Sequence, residues 1–270
     1  MVKTLIFLTS LVLAPFSFAA QLNIIIDDLG HSNSDFEWLG LPTEITFSIL
    51  PGRHYSQALA QAAYEQERDI MLHMPMQALD GSALGEHGLE QHHNEIQIKS
   101  NLLEALQGLP QAVGINNHKG SLLTGDAQAM LWVMQVLKQQ QLFFVDSRTH
   151  IATVAQQQAI DSNIPNLRRH IFLDHVDSLP MIKQQLQRAI AAAQRNGHVV
   201  AIGHPRSNTL LALQQMQLPV SVELVSTQQL LAQLSIDNGS DQTERGETID
   251  DSSKLALVLP IHNNSETVID

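Results

Sequence analysis

The stretch "NIIIDDLGHS", residues 23–32, runs an unbroken apolar segment straight into two adjacent carboxylates, Asp27 and Asp28. Two like charges in contact raise each other's pKa, so the pair is costly unless a cation or solvent relieves it. A solvated turn at a strand end meets that requirement, and so does a cation site. How the other apolar runs of the chain end decides between the two.

Short runs rich in β-branched residues recur near 22–27, 45–50, 69–73, 112–116, 142–146, 170–173, 198–203 and 220–224. Helical patterns lie between them, near 55–67, 99–107, 126–140, 152–160, 180–195 and 208–215. This alternation marks an α/β chain with a parallel sheet or barrel and crossover helices. Several runs are apolar throughout, as strands covered on both faces are. In "DSLPMIKQQLQRAIAAAQRNGH", Asp177 or Ser178 can cap a helix, Pro180 suits its first turn and Asn196-Gly197 its stop. No glycine-rich phosphate loop follows the first run, where a Rossmann fold would need one.

The runs break on polar residues. "IIIDDLG" ends on Asp27 and Asp28, "DIMLHMPM" on His73, "AVGINNHKGS" on Asn116, Asn117 and His118, "LFFVDSRT" on Asp146, Ser147 and Arg148, and "VVAIGHPRS" on His204 and Arg206. In a parallel sheet or β/α barrel these ends share one face, where sites are assembled from several strands. Each residue alone reads as a cap, a turn or a satisfied core group. Together they form a polar cluster at buried strand ends that packing does not explain and that pairing or a metal must compensate. Two His and one carboxylate are a common open ligand set for zinc or a similar divalent ion, and a second carboxylate beside them can act as a base.

Composition narrows the function. The chain has 13 His but no Cys, which excludes a thiolate nucleophile and a Cys-based zinc site. A net charge of −12 leaves no basic footprint for nucleic acid. Residues 1–20 read as a signal peptide: Lys3, an apolar stretch broken by Pro15, then small residues. The apolar core is too short and interrupted for a membrane span, so the expectation is an exported protein, periplasmic or secreted. Residues 21–235 have the size of one α/β domain. From Ser235 onward there are eight acids and two bases, so 236–270 reads as an acidic, disordered tail in which "LALVLPIH", 255–262, forms a short strand or an exposed extended segment. The polar stretch 77–98, with His87, His92 and His93, reads as a solvated loop over the rim.

With "IDDLG", "LHMPM", "GINNHKGS", "VDSRT" and "AIGHP" in that order, the chain resembles the divergent polysaccharide deacetylase family, a branch of the NodB-homology carbohydrate deacetylases, over most of 21–230. The resemblance implies a distorted, partly irregular β/α barrel of about seven strands. It implies a metal-dependent hydrolase that removes N- or O-acetyl groups from an envelope or extracellular polysaccharide. Asp27 then matches the catalytic base, Asp28 the metal-liganding carboxylate beside it and His204 the general acid, while His73 and His118 complete a site for a divalent metal, zinc by preference. Better-known NodB enzymes take both histidines from one His-x-x-x-His stretch; here the second comes from the next strand end, and "NNHKGS" stands where an Arg-x-Pro-Tyr motif is expected. In this reading Asp146 orients His204 or tunes the site, and Asn117, Ser147 and Arg206 position substrate.

Two other functions fit parts of the pattern. A glycoside hydrolase also uses two carboxylates, but they must flank the bond about 5 Å or more apart, which adjacent residues do not readily do. An exported glycan-binding or envelope interaction protein that keeps the barrel and metal pocket without turnover would show the same strand ends.

Overall fold

The computed structural model describes residues 19–244, with side chains described to residue 236. The signal peptide expected over 1–20 and the strand expected at 255–262 lie outside the described residues, apart from the last two positions of the former.

Among the described residues nine strands form one sheet: β1 (Ala20–Leu29), β2 (Thr46–Ile49), β3 (Ile70–Met76), β4 (Gly114–Lys119), β5 (Phe143–Asp146), β6 (Asn166–Arg168), β7 (Ile171–Phe172), β8 (His198–Gly203) and β9 (Val222–Leu224). Seven helices separate or follow them: α1 (Ser56–Tyr64), α2 (Glu95–Gln107), α3 (Ala127–Gln140), α4 (Ala155–Asp161), α5 (Leu179–Asn196), α6 (Ser207–Gln214) and α7 (Thr227–Glu244). The strand order is β6-β5-β4-β3-β2-β1-β8-β7, and β9 pairs with the start of β1. All these pairings are parallel. Every strand therefore ends on the same side of the sheet, as the sequence pattern predicts for a parallel sheet or barrel, and the fold is the distorted barrel that the family resemblance implies. The strand ends β6 and β7 close the order without pairing to each other, which leaves a curled, open half-barrel.

Strand alternation sorts the side chains into two layers. One layer faces the helices: Leu22, Ile24 and Ile26 of β1, Phe47 and Ile49 of β2, Ile70 and Leu72 of β3 and Phe144 of β5 belong to the main apolar cluster. Helix α5 joins it through Ile182, Leu186, Ala189 and Ala193, spaced to form one buried stripe. The other layer lines the half-barrel and is buried but mixed: Asn23, Ile25 and Asp27, Thr46 and Ser48, Met71 and His73, Val200 and Ile202. Its floor is polar and satisfied. Asn23 Nδ2 donates to Thr227 Oγ1 and to the Val225 carbonyl, and the Thr46 and Thr227 hydroxyls share a 2.9 Å hydrogen bond.

Several elements lie beyond the sequence pattern. Strand β6 is three residues long and follows Ile164-Pro165, too short for any periodicity to register. Helix α7 starts inside the expected domain and runs on to Glu244, past the boundary at Ser235; the rest of the expected tail is outside the described residues. A 3₁₀ helix, Asn33–Gly40, follows β1 behind a Ser32–Asp35 capping box. The stretch 77–98 is ordered onto the sheet: Leu84 and Leu89 are buried, Leu89 bridges to Met76, and α2 begins at Glu95 behind an Asn94–Gln97 capping box. No described helix is long and apolar enough to cross a membrane.

Candidate metal centre

The two carboxylates of the opening stretch sit on a β-bulge. Ile26 pairs with Phe47 and Leu29 with Ile49, so β1 spends one more residue than β2 across Asp27 and Asp28. Asp28 takes a left-handed backbone with φ 61°, a conformation that costs about 1–2 kcal/mol for a side-chain-bearing residue. In a regular strand adjacent side chains diverge to opposite faces. The bulge instead turns both carboxylates toward one cluster of polar groups.

Asp28 is the half-exposed member. Its Oδ1 stands 3.1 Å from His73 Nε2 and 2.8 Å from His118 Nδ1, and those two nitrogens are 3.2 Å apart. Oδ1 is nonetheless buried without an aligned hydrogen bond. Two imidazole nitrogens and a carboxylate oxygen thus converge on one spot. Ligands of a tetrahedral zinc, with bonds of about 2.0–2.1 Å, lie roughly 3.3 Å from one another, so the donor triangle fits such an ion. Among the described residues this is the one group of three or more such side chains whose ligand atoms lie within 4.8 Å of one another. His87, whose Nδ1 is 3.4 Å from Glu104, and His92, 3.3 Å from Glu90, are not part of it.

Asp27 is almost fully buried. Its Oδ1 accepts a 2.7 Å hydrogen bond from Asn116 Nδ2. That fixes the amide: Asn116 Oδ1 then accepts from Ser48 Oγ at 2.6 Å and from His73 Nδ1 at 2.7 Å. His73 Nδ1 therefore carries a proton, and its Nε2 faces Asp28 and His118. One buried asparagine thus holds both the Asp27 carboxylate and the tautomer of His73. His73 and Asn116 are direct register partners across β3 and β4.

His204 approaches from the other side, at the end of β8. Its Nε2 is 4.0 Å from Asp28 Oδ2. Its Nδ1 lies 2.9 Å from Asp174 Oδ1, and Asp174 Oδ2 accepts from the His204 backbone N–H at 2.7 Å and from Thr209 Oγ1 at 2.8 Å. Asp174 is fully buried just beyond β7.

The electrostatics follow from these contacts. Burial alone would raise Asp28, but the imidazoles of His118 and His73 outweigh it and hold the carboxyl well below the usual range. Burial opposes the charge of His73, yet Asp27 and Asp28 overcome it and push the imidazole up to about 9. His118 goes down, through burial and the neighbouring charge of His73. His204 goes up: burial opposes its charge, but Asp174 and then Asp27 and Asp28 favour it. Asp174 goes down, the His204 hydrogen bond overcoming burial.

The structure brings together Asp27, Asp28, His73, His118 and His204, all named from strand ends. It places others elsewhere. Asp146 does not touch His204; its Oδ1 accepts from the Arg148 backbone and its Oδ2 from Thr153 Oγ1. The residue that orients His204 is Asp174. Asn117 ties β4 to the loop after β5, accepting from the Ser147 N–H at 2.9 Å and donating to the Lys119 carbonyl at 2.8 Å. Alternation explains the misplacement: Asn116 and His118 share the inner face, while Asn117 points to the other one. Ser147 is buried with its Oγ unpartnered, and Arg206 lines the cleft beside Asp28, donating Nη1 to the Asp174 carbonyl at 2.7 Å. Asn116 stands out in the sequence at its strand end but with no role attached, two before His118; Asp174 goes unnamed there although it follows the apolar run 170–173.

A model of the divergent polysaccharide deacetylase family matches residues 24–231, from β1 into α7. The chain belongs to that family. An uncharacterized protein of Haemophilus influenzae is 38% identical over 228 residues, covering 83% of this chain and 81% of that protein. The uncharacterized protein YibQ of Escherichia coli is 34% identical over 241 residues, covering 88% and 76%. Among solved structures, an uncharacterized protein of Agrobacterium tumefaciens superposes with a TM-score of 0.73 at 19% identity, covering 80% of this chain and 90% of that one, a likeness of fold. The match takes in all five inner-face side chains of this divergent deacetylase family member, from Asp27 to His204.

Proposed function

We propose that the protein is a metal-dependent carbohydrate deacetylase, hydrolysing N- or O-acetyl groups on an envelope or extracellular polysaccharide. The observation that carries this reading is the single inner-face cluster in which Asp28, His73 and His118 converge with a buried carboxylate, Asp27, and a second imidazole, His204. Family membership supports the substrate class.

The donor set of Asp28 Oδ1, His73 Nε2 and His118 Nδ1 suits a divalent ion, zinc by its mixed nitrogen and oxygen character, which when bound supplies Lewis acidity to an acyl oxygen and to water. Asp27 accepts the proton of the attacking water, held in place by Asn116. His204, its Nδ1 bound to Asp174, delivers a proton from Nε2 to the departing amine or alkoxide. Water adds to the acyl carbon, the C–N or C–O bond breaks, and acetate and the free amine or hydroxyl leave. Burial opposes the charge of His204, and Asp174 raises its pKa, which favours the protonated imidazole that role needs.

The test is acetate release from N-acetylated and O-acetylated oligosaccharides by zinc-loaded protein, beside Asp27→Asn. Release by the native protein that falls about 10²–10⁴-fold in the variant supports the proposal. Glycan and zinc binding without release from either would instead identify a binding protein on this fold.

A further inference from the structure

The candidate centre opens into a cavity of about 450 Å³ whose walls include Asp28, His118 and His204 together with Arg53 and Arg206. No Phe, Tyr or Trp lines it, so the stacking surface that usually holds a neutral sugar ring is missing there. The charges are arranged unevenly. Asp28 is engaged between two histidines, and Asp35 Oδ2 is spent on the backbone N–H groups of Gly30, His31 and Ser32 at 2.8–3.0 Å. The two arginines are not neutralised in the same way. Arg53 Nε is buried without a partner, and its guanidinium makes no ion pair among the described residues. Arg206 spends one N–H on the Asp174 carbonyl and faces no carboxylate within ion-pair distance among the described residues. In a chain of net charge −12, two guanidiniums in one cleft concentrate positive charge beside the candidate centre. Guanidinium forks match planar and tetrahedral oxyanions, and a buried unpaired donor is costly until one arrives.

We propose that Arg53 and Arg206 form an anion subsite, so that the preferred substrate is an acetylated glycan bearing a carboxylate or phosphate near the acetylated sugar. This rests on the deacetylase reading of the same cavity. Arg53 also borders a second cavity of about 310 Å³ with His54, Gln57, His87 and Glu104.

The experiment uses two matched pairs of probes with the zinc-loaded full chain: a hyaluronan tetrasaccharide against its uronate methyl ester, and N-acetylglucosamine 6-phosphate against N-acetylglucosamine. Binding is read by calorimetry and acetate release on the same samples, for native protein, Arg53→Gln, Arg53→Lys and Arg206→Gln, with thermal melts to verify folding. The expected result is binding at least about tenfold tighter for one anionic probe than for its neutral partner, the size of one charged hydrogen bond. That ratio shrinks toward one in both Gln variants and recovers in part in Arg53→Lys. The carboxylate and phosphate pairs tell which anion is read. Equal binding within both pairs, or an anion preference that both Gln variants retain, overturns the subsite. Arginine-dependent anion binding without acetate release keeps the subsite and removes the deacetylase reading, while acetate release without charge preference does the reverse.

Discussion

The two sides of the site are built differently. On the β1, β3 and β4 side, the polar side chains are set by sheet register and by one fully buried amide, Asn116, that joins Asp27, His73 and Ser48. On the β7 and β8 side, a single half-buried imidazole is held by Asp174, which also accepts from the His204 backbone N–H and from Thr209 Oγ1. The first side is a rigid cradle inside the half-barrel; the second is one side chain aimed across the cleft. The difference suits a division of labour in which one side holds an ion and the base, and the other delivers a proton.

Substitutions on the two sides should therefore fail in different ways. Asp28→Ala or His73→Ala should abolish stoichiometric zinc and lower acetate release beyond the roughly 10²–10⁴-fold that loss of one proton-transfer group costs; elemental analysis beside the acetate assay checks both. Asp27→Asn and His204→Gln should each cost about 10²–10⁴-fold in kcat while zinc stays bound, which separates proton transfer from ligation. Loss of zinc in His204→Gln would erase the distinction between the two sides.

The supporting residues sharpen the contrast. Asn116→Ala should weaken zinc binding about 10–100-fold, because His73 loses the partner that fixes its tautomer. A competition titration against a chelator reads this. Asp174→Asn should leave zinc affinity unchanged and alter the pH profile instead. Asp174 raises His204, so removing its charge lowers the imidazole, and activity that needs protonated His204 should decline at lower pH than in the native protein.

The smallest effect is on stability. His204 is raised, so its contribution is complete below the ordinary imidazole value of 6.5 and is lost as pH rises through the folded value. Asp174 is lowered, so its contribution is complete above 3.8 and is lost as pH falls through the folded value. Asp174→Asn should thus cost most between those two values, by about 1–3 kcal/mol for a charged hydrogen bond, and denaturant melts across pH measure it.

Much of the sheet was legible because its strands are apolar on both faces. Eight runs and six helices fall on elements of the structure, and the ends of β1, β3, β4 and β8 converge on one side, as a parallel sheet requires. Strand β6 and helix α7 were not: three residues carry no period, and in "TQQLLAQLSID" only Thr227 and Leu230 are buried among the described side chains, too few to mark a face. At the site, type was legible and direction was not. Asp27, His73, His118 and His204 stand out as polar residues after apolar runs, but choosing between Asn116 and Asn117 needs the strand's alternation carried to its last residues. Choosing between Asp146 and Asp174 needs the sheet order, since β7 and not β5 lies beside β8. The bulge that turns Asp27 and Asp28 to one purpose leaves no mark in the sequence beyond the two acids themselves.

The most direct measurement is a zinc titration of the full chain, with stoichiometry and affinity determined for the native protein, Asp28→Ala and His118→Ala, and acetate release followed on the same samples. The account predicts one ion per chain, lost in both variants together with acetate release. A folded native protein that takes up no divalent metal, or one that binds it equally well after either substitution, would contradict the centre assigned to β1, β3 and β4.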